Sequence, residues 1–128
     1  MTRGLADTSV FIARESGRSV DRASLPDQLA VSAITIGELR AGVLVAADVR
    51  IRDRRLAALT DALALDPVPV DESVAAAWAS LRVLLRDHQK RMPVNDSWIA
   101  ATALSLGVPV VTQDEDYVEL PGLEVIMV

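Results

Sequence analysis

Asn95-Asp96-Ser97-Trp98-Ile99-Ala100-Ala101-Thr102-Ala103-Leu104-Ser105-Leu106-Gly107-Val108-Pro109-Val110-Val111-Thr112 passes from a helix into a buried strand. Asn95 is a residue type that caps helices, and no breaker intervenes before Leu106. Gly107 then supplies the left-handed conformation with which helices commonly end. Val108 to Thr112 is a short, mostly β-branched apolar run, the composition of a strand covered on both faces. A helix that feeds directly into such a strand is half of a βαβ unit.

Outward from this stretch the alternation continues. Gly4-Leu5-Ala6 reads as a short buried strand, and Asp7-Thr8-Ser9 supplies capping residues for a helix beginning near Val10-Phe11-Ile12. Glu15 to Asp27 is polar and rich in Ser and Arg, a surface connection. Gln28 to Ile34 reads as a second strand. From Thr35 onward Ile36, Leu39, Val43, Leu44 and Ala47 recur at helical spacing, and a further helix covers Arg50 to Leu65 with Leu56, Leu59 and Leu63 inward. These two helices are expected to be antiparallel neighbours. Pro67 and Pro69 hold the stretch from Asp66 to Val70 extended, and Asp71 opens a long helix from Glu72 to Gln89. Arg91 to Val94 is a loop, Asp114 to Val118 a short helical turn, and Leu123 to Val128 a final strand. Strands alternating with helices predict an α/β fold, a parallel doubly wound sheet with helices on both faces. With no repeat, linker or low-complexity tract, residues 1–128 are expected to form one domain.

The chain has no cysteine, which excludes disulfides, thiolate metal sites and cysteine nucleophiles. Although 51% of its residues are hydrophobic, no apolar run has the length of a membrane span, and no signal-like segment stands at the start. A cytoplasmic protein with no membrane partner is expected. A net charge of −5 argues against general nucleic-acid binding, which depends on Lys and Arg contacts to phosphate. The cations are clustered, however: Arg50, Arg52, Arg54 and Arg55 in one segment, and Arg82, Arg86, His88, Lys90 and Arg91 in another. Either cluster can guide a phosphate backbone. The plainer expectation for most of these arginines is a solvated helix face with Asp48, Asp53 and Asp87 as partners.

Asp7, Glu38, Asp96 and Asp114 all fall where a strand gives way to a helix or where a helix begins. Taken singly, each has an ordinary explanation. Asp7 suits an N-cap, Thr35-x-x-Glu38 has the form of a capping box, Asp96 gains from a helix dipole, and Asp114 and Asp116 suit a loop. Taken together, they should emerge at the same edge of the sheet, where like charges repel unless something neutralises them. Oxygen-only ligands favour Mg²⁺ or Mn²⁺ over zinc, and such a site suits phosphodiester hydrolysis. A metal-dependent nuclease is the expected chemistry.

The chain resembles a PIN-domain ribonuclease of the VapC type, the toxin of bacterial toxin–antitoxin pairs. The resemblance is carried by Leu5-Ala6-Asp7-Thr8-Ser9, Ile36-Gly37-Glu38-Leu39, Asn95-Asp96-Ser97-Trp98-Ile99-Ala100-Ala101-Thr102-Ala103 and Val110-Val111-Thr112-Gln113-Asp114-Glu115-Asp116-Tyr117. Tyr117 stands where Phe is usual, and Glu115 adds negative charge. The resemblance implies a PIN-like fold with Asp7, Glu38, Asp96 and Asp114 as an acidic quartet and Asp116 as an auxiliary carboxylate. Asp7, Asp96 and Asp114 would be the direct Mg²⁺ ligands, Mn²⁺ substituting. Glu38 would act through water, and Thr8, Ser9 and Thr112 would be hydroxyls that orient carboxylates.

The implied activity is an endoribonuclease that leaves 5′-phosphate and 3′-hydroxyl ends. Its implied partners are RNA, a VapB-type antitoxin and a second copy of the chain. The apolar surplus of residues 35 to 65 is the expected partner face. Trp78 and Trp98, at apolar helical spacing, suit core or dimer contacts better than base stacking. One alternative is a catalytically idle PIN-like domain that only binds its antitoxin. Aspartyl-phosphate chemistry at Asp7 would need an acid at residue 9, which is Ser, and a nearby lysine, whereas the only lysine is Lys90.

Overall fold

A computed structural model describes all residues, Met1–Val128. The strands are β1 (Arg3–Ala6), β2 (Gln28–Ala30), β3 (Val110–Thr112) and β4 (Val125–Met127); the helices are α1 (Thr8–Ser16), α2 (Ala33–Leu44), α3 (Val49–Leu63), α4 (Glu72–Asp87) and α5 (Val94–Leu106). The four strands form one sheet in the order β2-β1-β3-β4, and every pairing is parallel. Successive strand residues point to opposite faces, and the two cores follow from that alternation. Leu5 and Val110 join Leu81 and Leu85 of α4 and Ile99, Ala100 and Ala103 of α5 in one cluster. Ala6 and Val111 join Phe11 of α1, Leu39 of α2 and Leu59 and Ala62 of α3 in the other. Helices therefore cover both faces, as the alternation of elements predicts.

The chain leaves β1 toward β2 on one side and returns through β3 on the other, so the sheet order reverses between β1 and β3. Ligands of open parallel sheets bind at such a switch point, beyond the carboxyl ends of the strands. Asp7 and Asp114 follow the two strands that flank it.

Several boundaries differ from the sequence reading. The second strand ends at Ala30, because Ser32 Oγ accepts from the Ile34 amide at 3.0 Å and starts α2 at Ala33. Thr35 is then already inside the helix, and no capping box joins it to Glu38. Likewise Asp48 caps α3 through the Ile51 amide at 2.9 Å, so that helix spans Val49–Leu63 and Asp48 does not partner an arginine. Pro93, not Asn95, precedes the first residue of α5. Asp114 to Val118 forms a turn rather than a helix, and the last two strands are the shorter Val110–Thr112 and Val125–Met127. Residues Glu15 and Ser16 belong to α1, and a short 3₁₀ turn at Arg22–Ser24 lies in the connection that follows. No helix is long and apolar enough to cross a membrane.

Gly4 lies where β1 is crossed most closely: a Cβ there would stand 2.6 Å from Val111 Cγ2 and 2.8 Å from Pro26 Cγ. Neither neighbour can rotate aside easily, since valine is stiff at χ1 and proline is a closed ring. Gly4→Ala is expected to destabilise the protein by about 1–3 kcal/mol, read as a lower urea midpoint with unchanged slope. An unchanged midpoint would show that β1 and β3 can separate without loss.

Candidate metal centre

Asp7 is almost wholly buried, 2% exposed, at the first residue beyond β1. Its Oδ2 accepts from the Ser9 amide at 3.2 Å and from Thr112 Oγ1 at 2.9 Å; its Oδ1 accepts from the Tyr117 hydroxyl at 2.8 Å. Asp7 is thus both the N-cap of α1 and the centre of a hydroxyl network. The proton count fixes the direction of the remaining bonds. Thr112 has one hydroxyl proton and gives it to Asp7, so its 3.1 Å contact with Ser9 is donated by Ser9. Ser9 Oγ in turn accepts from the Gln113 amide at 2.9 Å, and Thr112 Oγ1 accepts from the Asp114 amide at 2.9 Å. A carboxylate has about four acceptor positions, so Asp7 keeps one, at Oδ1.

On the other side of the site, Thr8 donates to Glu38 Oε1 at 2.7 Å. The same proton count makes fully buried Thr35 the donor to Thr8 Oγ1 at 2.9 Å. Glu38 Oε2 has only a 3.5 Å contact from the Asn95 amide nitrogen and is the freer oxygen.

One carboxylate oxygen each of Asp96, Asp114 and Asp116 lies within 4.8 Å of the others. Asp96 and Asp114 are partly exposed and Asp116 is exposed. The Asp116 amide donates to Asp114 Oδ1 at 2.9 Å, a local turn that folds the two acids together. Asp96 stands in the first turn of α5, where the helix dipole favours an anion by roughly 0.3–1 kcal/mol. That gain is overridden: burial first, then the charges of Asp7, Asp114, Glu38 and Asp116, raise its pKa from 3.8 to about 7. All four other site carboxylates therefore act on Asp96. Tyr117 is pushed far above the ordinary phenol value by burial, by the Asp7 and Asp96 charges and by its bond to Asp7, which keeps its hydroxyl a donor.

The structure thus brings Asp96, Asp114 and Asp116 onto one point, with Asp7 behind them and Glu38 beside them. Thr8, Ser9 and Thr112 each bond within this set. The sequence reading did not find Tyr117, Thr35 or Asn95 as members. For Tyr117 a signal existed, because a buried phenol in place of a phenyl ring needs a partner. Trp78 and Trp98 lie outside it, stacked on each other at 4.5 Å and 5°, with Trp78 Nε1 donating to Ser97 Oγ at 3.0 Å. They tie α4 to α5. An all-oxygen, carboxylate-rich set that converges on one point suits a hard divalent cation such as Mg²⁺ or Mn²⁺.

A parallel sheet with its acids at this switch point is the arrangement of a PIN domain, and the sequence model of the PIN-domain family matches residues 5–123. Ribonuclease VapC5 of Mycobacterium tuberculosis is 49% identical over 119 residues, covering 93% of this chain and 88% of that protein. Ribonuclease VapC4 of the same organism is 45% identical over 126 residues, covering 98% and 97%. The crystal structure of the toxin–antitoxin system VapBC-5 from M. tuberculosis contains a chain that superposes with a TM-score of 0.90 at 42% identity, over 100% of both chains. The chain belongs to the PIN-domain family, among its VapC-type ribonuclease toxins.

The raised Asp96 pKa sets a pH dependence. In the unfolded chain the carboxyl titrates near 3.8 and in the folded chain near 7. The stability it contributes is therefore full below about pH 4 and is lost as pH rises through 7. Asp96→Asn is expected to match wild type near pH 4 and to melt about 3–6 °C higher at pH 8 without metal, roughly one kcal/mol after solvent screening. Equal melting temperatures at pH 8 would contradict the repulsion inferred for this cluster.

Proposed function

We propose that the protein is a Mg²⁺-dependent endoribonuclease, the toxic member of a toxin–antitoxin pair, with Mn²⁺ able to substitute. The observation that carries this reading is the convergence of Asp96, Asp114 and Asp116, whose carboxylate oxygens lie within 4.8 Å of one another, a set of hard oxygen donors suited to a divalent cation. Residues 1–128 are read as one PIN domain. Asp96, Asp114 and Asp116 would hold the ion, and Asp7 would add its negative charge to the site and has one acceptor position left at Oδ1. Bound Mg²⁺ supplies Lewis acidity to a phosphodiester and lowers the pKa of water.

The chain's residues supply orientation. Thr112 and Tyr117 fix the plane of the Asp7 carboxylate from opposite oxygens. Thr8 holds Glu38 Oε1, which leaves Oε2 to orient a water and accept its proton in line with the scissile bond. Attack by water with the 3′-oxygen as the leaving group would give the 5′-phosphate and 3′-hydroxyl that the resemblance implies. The alternative nucleophile, the ribose 2′-hydroxyl, would call for an acid–base pair such as histidines, and the chain has a single histidine, His88.

Inhibition by a VapB-type antitoxin is part of the same reading. Leu44, Val45, Val49 and Leu56, between 47% and 75% exposed, give α2 and α3 an apolar outer face. A cavity of about 310 Å³ beside it, bounded by Ile12, Leu39, Val45 and Ala58, has Glu38 on its lining. A partner helix seated there would place a basic side chain against the acids. A homodimer and a toxin–antitoxin hetero-oligomer are the proposed assemblies, and the cytoplasm the proposed location.

Antitoxin-free protein is expected to cut total RNA in Mg²⁺ or Mn²⁺, with activity abolished by chelator and reduced at least about 100-fold in Asp7→Asn. Cutting that survives the substitution and the chelator would overturn the reading. Tyr117→Phe tests the Asp7 network separately: Mn²⁺ affinity by calorimetry is expected to fall about tenfold with the fold intact. Unchanged affinity would make the phenol a packing residue only.

A further inference from the structure

A second charged cluster lies at the opposite pole of the α4–α5 connection. Arg82, Leu85, Arg86, Lys90, Arg91 and Met92 enclose a cavity of about 410 Å³, with no acidic residue on its lining. This is a chain with 18 acids against 13 bases, so a lining of cations alone is against its composition. The sequence reading expected such arginines to be solvated and paired with acids. Only Arg86 is paired here, with exposed Asp87 at 3.3 Å, and Arg82, Lys90 and Arg91 have no carboxylate within 4.0 Å.

The cluster is also constructed. Arg82 and Arg86 stand four residues apart on α4, a spacing at which like charges oppose helix formation. The Arg82 guanidinium is held 5.5 Å from the centre of the Trp78 ring, itself stacked on Trp98. Gln89 has φ +54°, a left-handed conformation uncommon outside glycine. That turn closes with the Lys90 amide donating to Leu85 carbonyl oxygen at 2.8 Å, and it folds Lys90 and Arg91 back over the last turn of α4. Buried Leu85 and Met92 belong to the core and make the floor rigid.

Placement connects this pocket to the acids. Arg91 precedes Asp96 by five residues, so their Cα atoms are at most about 18 Å apart even if the connection were straight. A nucleic-acid strand whose scissile phosphate sits at the carboxylates has neighbouring phosphates within that reach. An acidic enzyme acting on a polyanion also needs a compensating cation site beside the metal.

We infer that the cavity at the end of α4 is the subsite for the phosphate backbone of single-stranded RNA flanking the cleaved bond. Arginine forks grip the phosphate oxygens, and the Leu85–Met92 floor carries the sugar. The inference rests on the ribonuclease reading, and its test separates the two.

Binding of a short, labelled single-stranded RNA is measured by anisotropy across a salt series, in an Asp96→Asn background that removes cleavage. Two further variants each remove three charges: Arg86→Gln/Lys90→Gln/Arg91→Gln at the pocket, and Arg50→Gln/Arg52→Gln/Arg54→Gln on exposed α3. The pocket variant is expected to bind roughly tenfold more weakly and to flatten the slope of log affinity on log salt by about 2, near 0.7 for each lost phosphate contact. The α3 variant is expected to stay within about twofold of the background. In the otherwise native chain, the pocket substitutions should raise KM with kcat and Mn²⁺ affinity unchanged, and Lys at 86 and 91 should restore the salt slope but only part of the affinity. Equal weakening by both variants overturns the subsite, because net charge alone would then explain it. So does a pocket variant that binds RNA normally but has lost affinity for poly-glutamate, which would mark the cavity as a protein-docking site. If wild type cleaves RNA while the pocket variant binds it like the background, only this inference falls. If wild type neither cleaves nor binds RNA, the ribonuclease reading falls with it.

Discussion

Repulsion among carboxylates at the mouth of the sheet is the constraint on which the rest of the structure turns. A sheet whose order reverses between β1 and β3 sends the residues after both strands to one place, and here those residues are Asp7 and Asp114. Asp96 from the start of α5 and Glu38 from α2 add to the crowding, and burial together with the neighbouring charges raises the Asp96 pKa. Nothing in hydrophobic packing asks for it.

The surrounding hydroxyls explain how such a cluster keeps one geometry. Thr112 links three parts at once: it donates to Asp7, accepts from the Asp114 amide and accepts from Ser9. Rotating the Asp7 carboxylate or shifting the Asp114 backbone breaks a bond to the same oxygen, so the two strands' ends are coupled. Thr35 and Thr8 do the equivalent for Glu38, carrying a buried helix-to-helix contact out to the carboxylate. Each buried polar side-chain atom has a partner, which makes the network rigid rather than merely tolerated. Tyr117 closes it from the opposite core, since its ring packs with Leu81 and Ile99 while its hydroxyl reaches Asp7. Packing of α4 and α5 is thereby coupled to the orientation of a residue on β1.

Much of this was legible in the sequence because parallel-sheet topology converts order along the chain into position in space. A short apolar run followed by an acid, twice, with helices between, is enough to place Asp7 and Asp114 together and to expect helices on both faces. What local patterns cannot resolve is competition among neighbours. Ser32 and Thr35 are both capping residues, and Ser32 wins because Val31 and Ala33 are held by Val68, which ends the strand earlier. Thr35 is thereby freed to meet Thr8, 27 residues away in sequence. The Tyr117–Asp7 bond spans 110 residues, and no periodicity reports such a distance. The inner division of the site was equally hidden: Asp116 stands with Asp96 and Asp114, while Asp7 is drawn behind them by three donors.

The same reasoning bears on why the connection between α4 and α5 is built as it is. It ends one helix with cations and begins the next with an acid, which agrees with both helix dipoles: positive charge at the carbonyl end of α4, negative at the amide end of α5. A helical hairpin of this polarity therefore stabilises two opposite charges a few residues apart without letting them pair. Had Arg91 and Asp96 met directly, each would have cancelled the other's field. They do not pair: α4 ends before the left-handed Gln89, and Pro93, with its fixed φ, sets the entry to α5. Separated charges of both signs along one connection form a dipolar track. A substrate that carries negative charge at regular intervals and must yield one of those charges to a cation is the kind of molecule such a track orients.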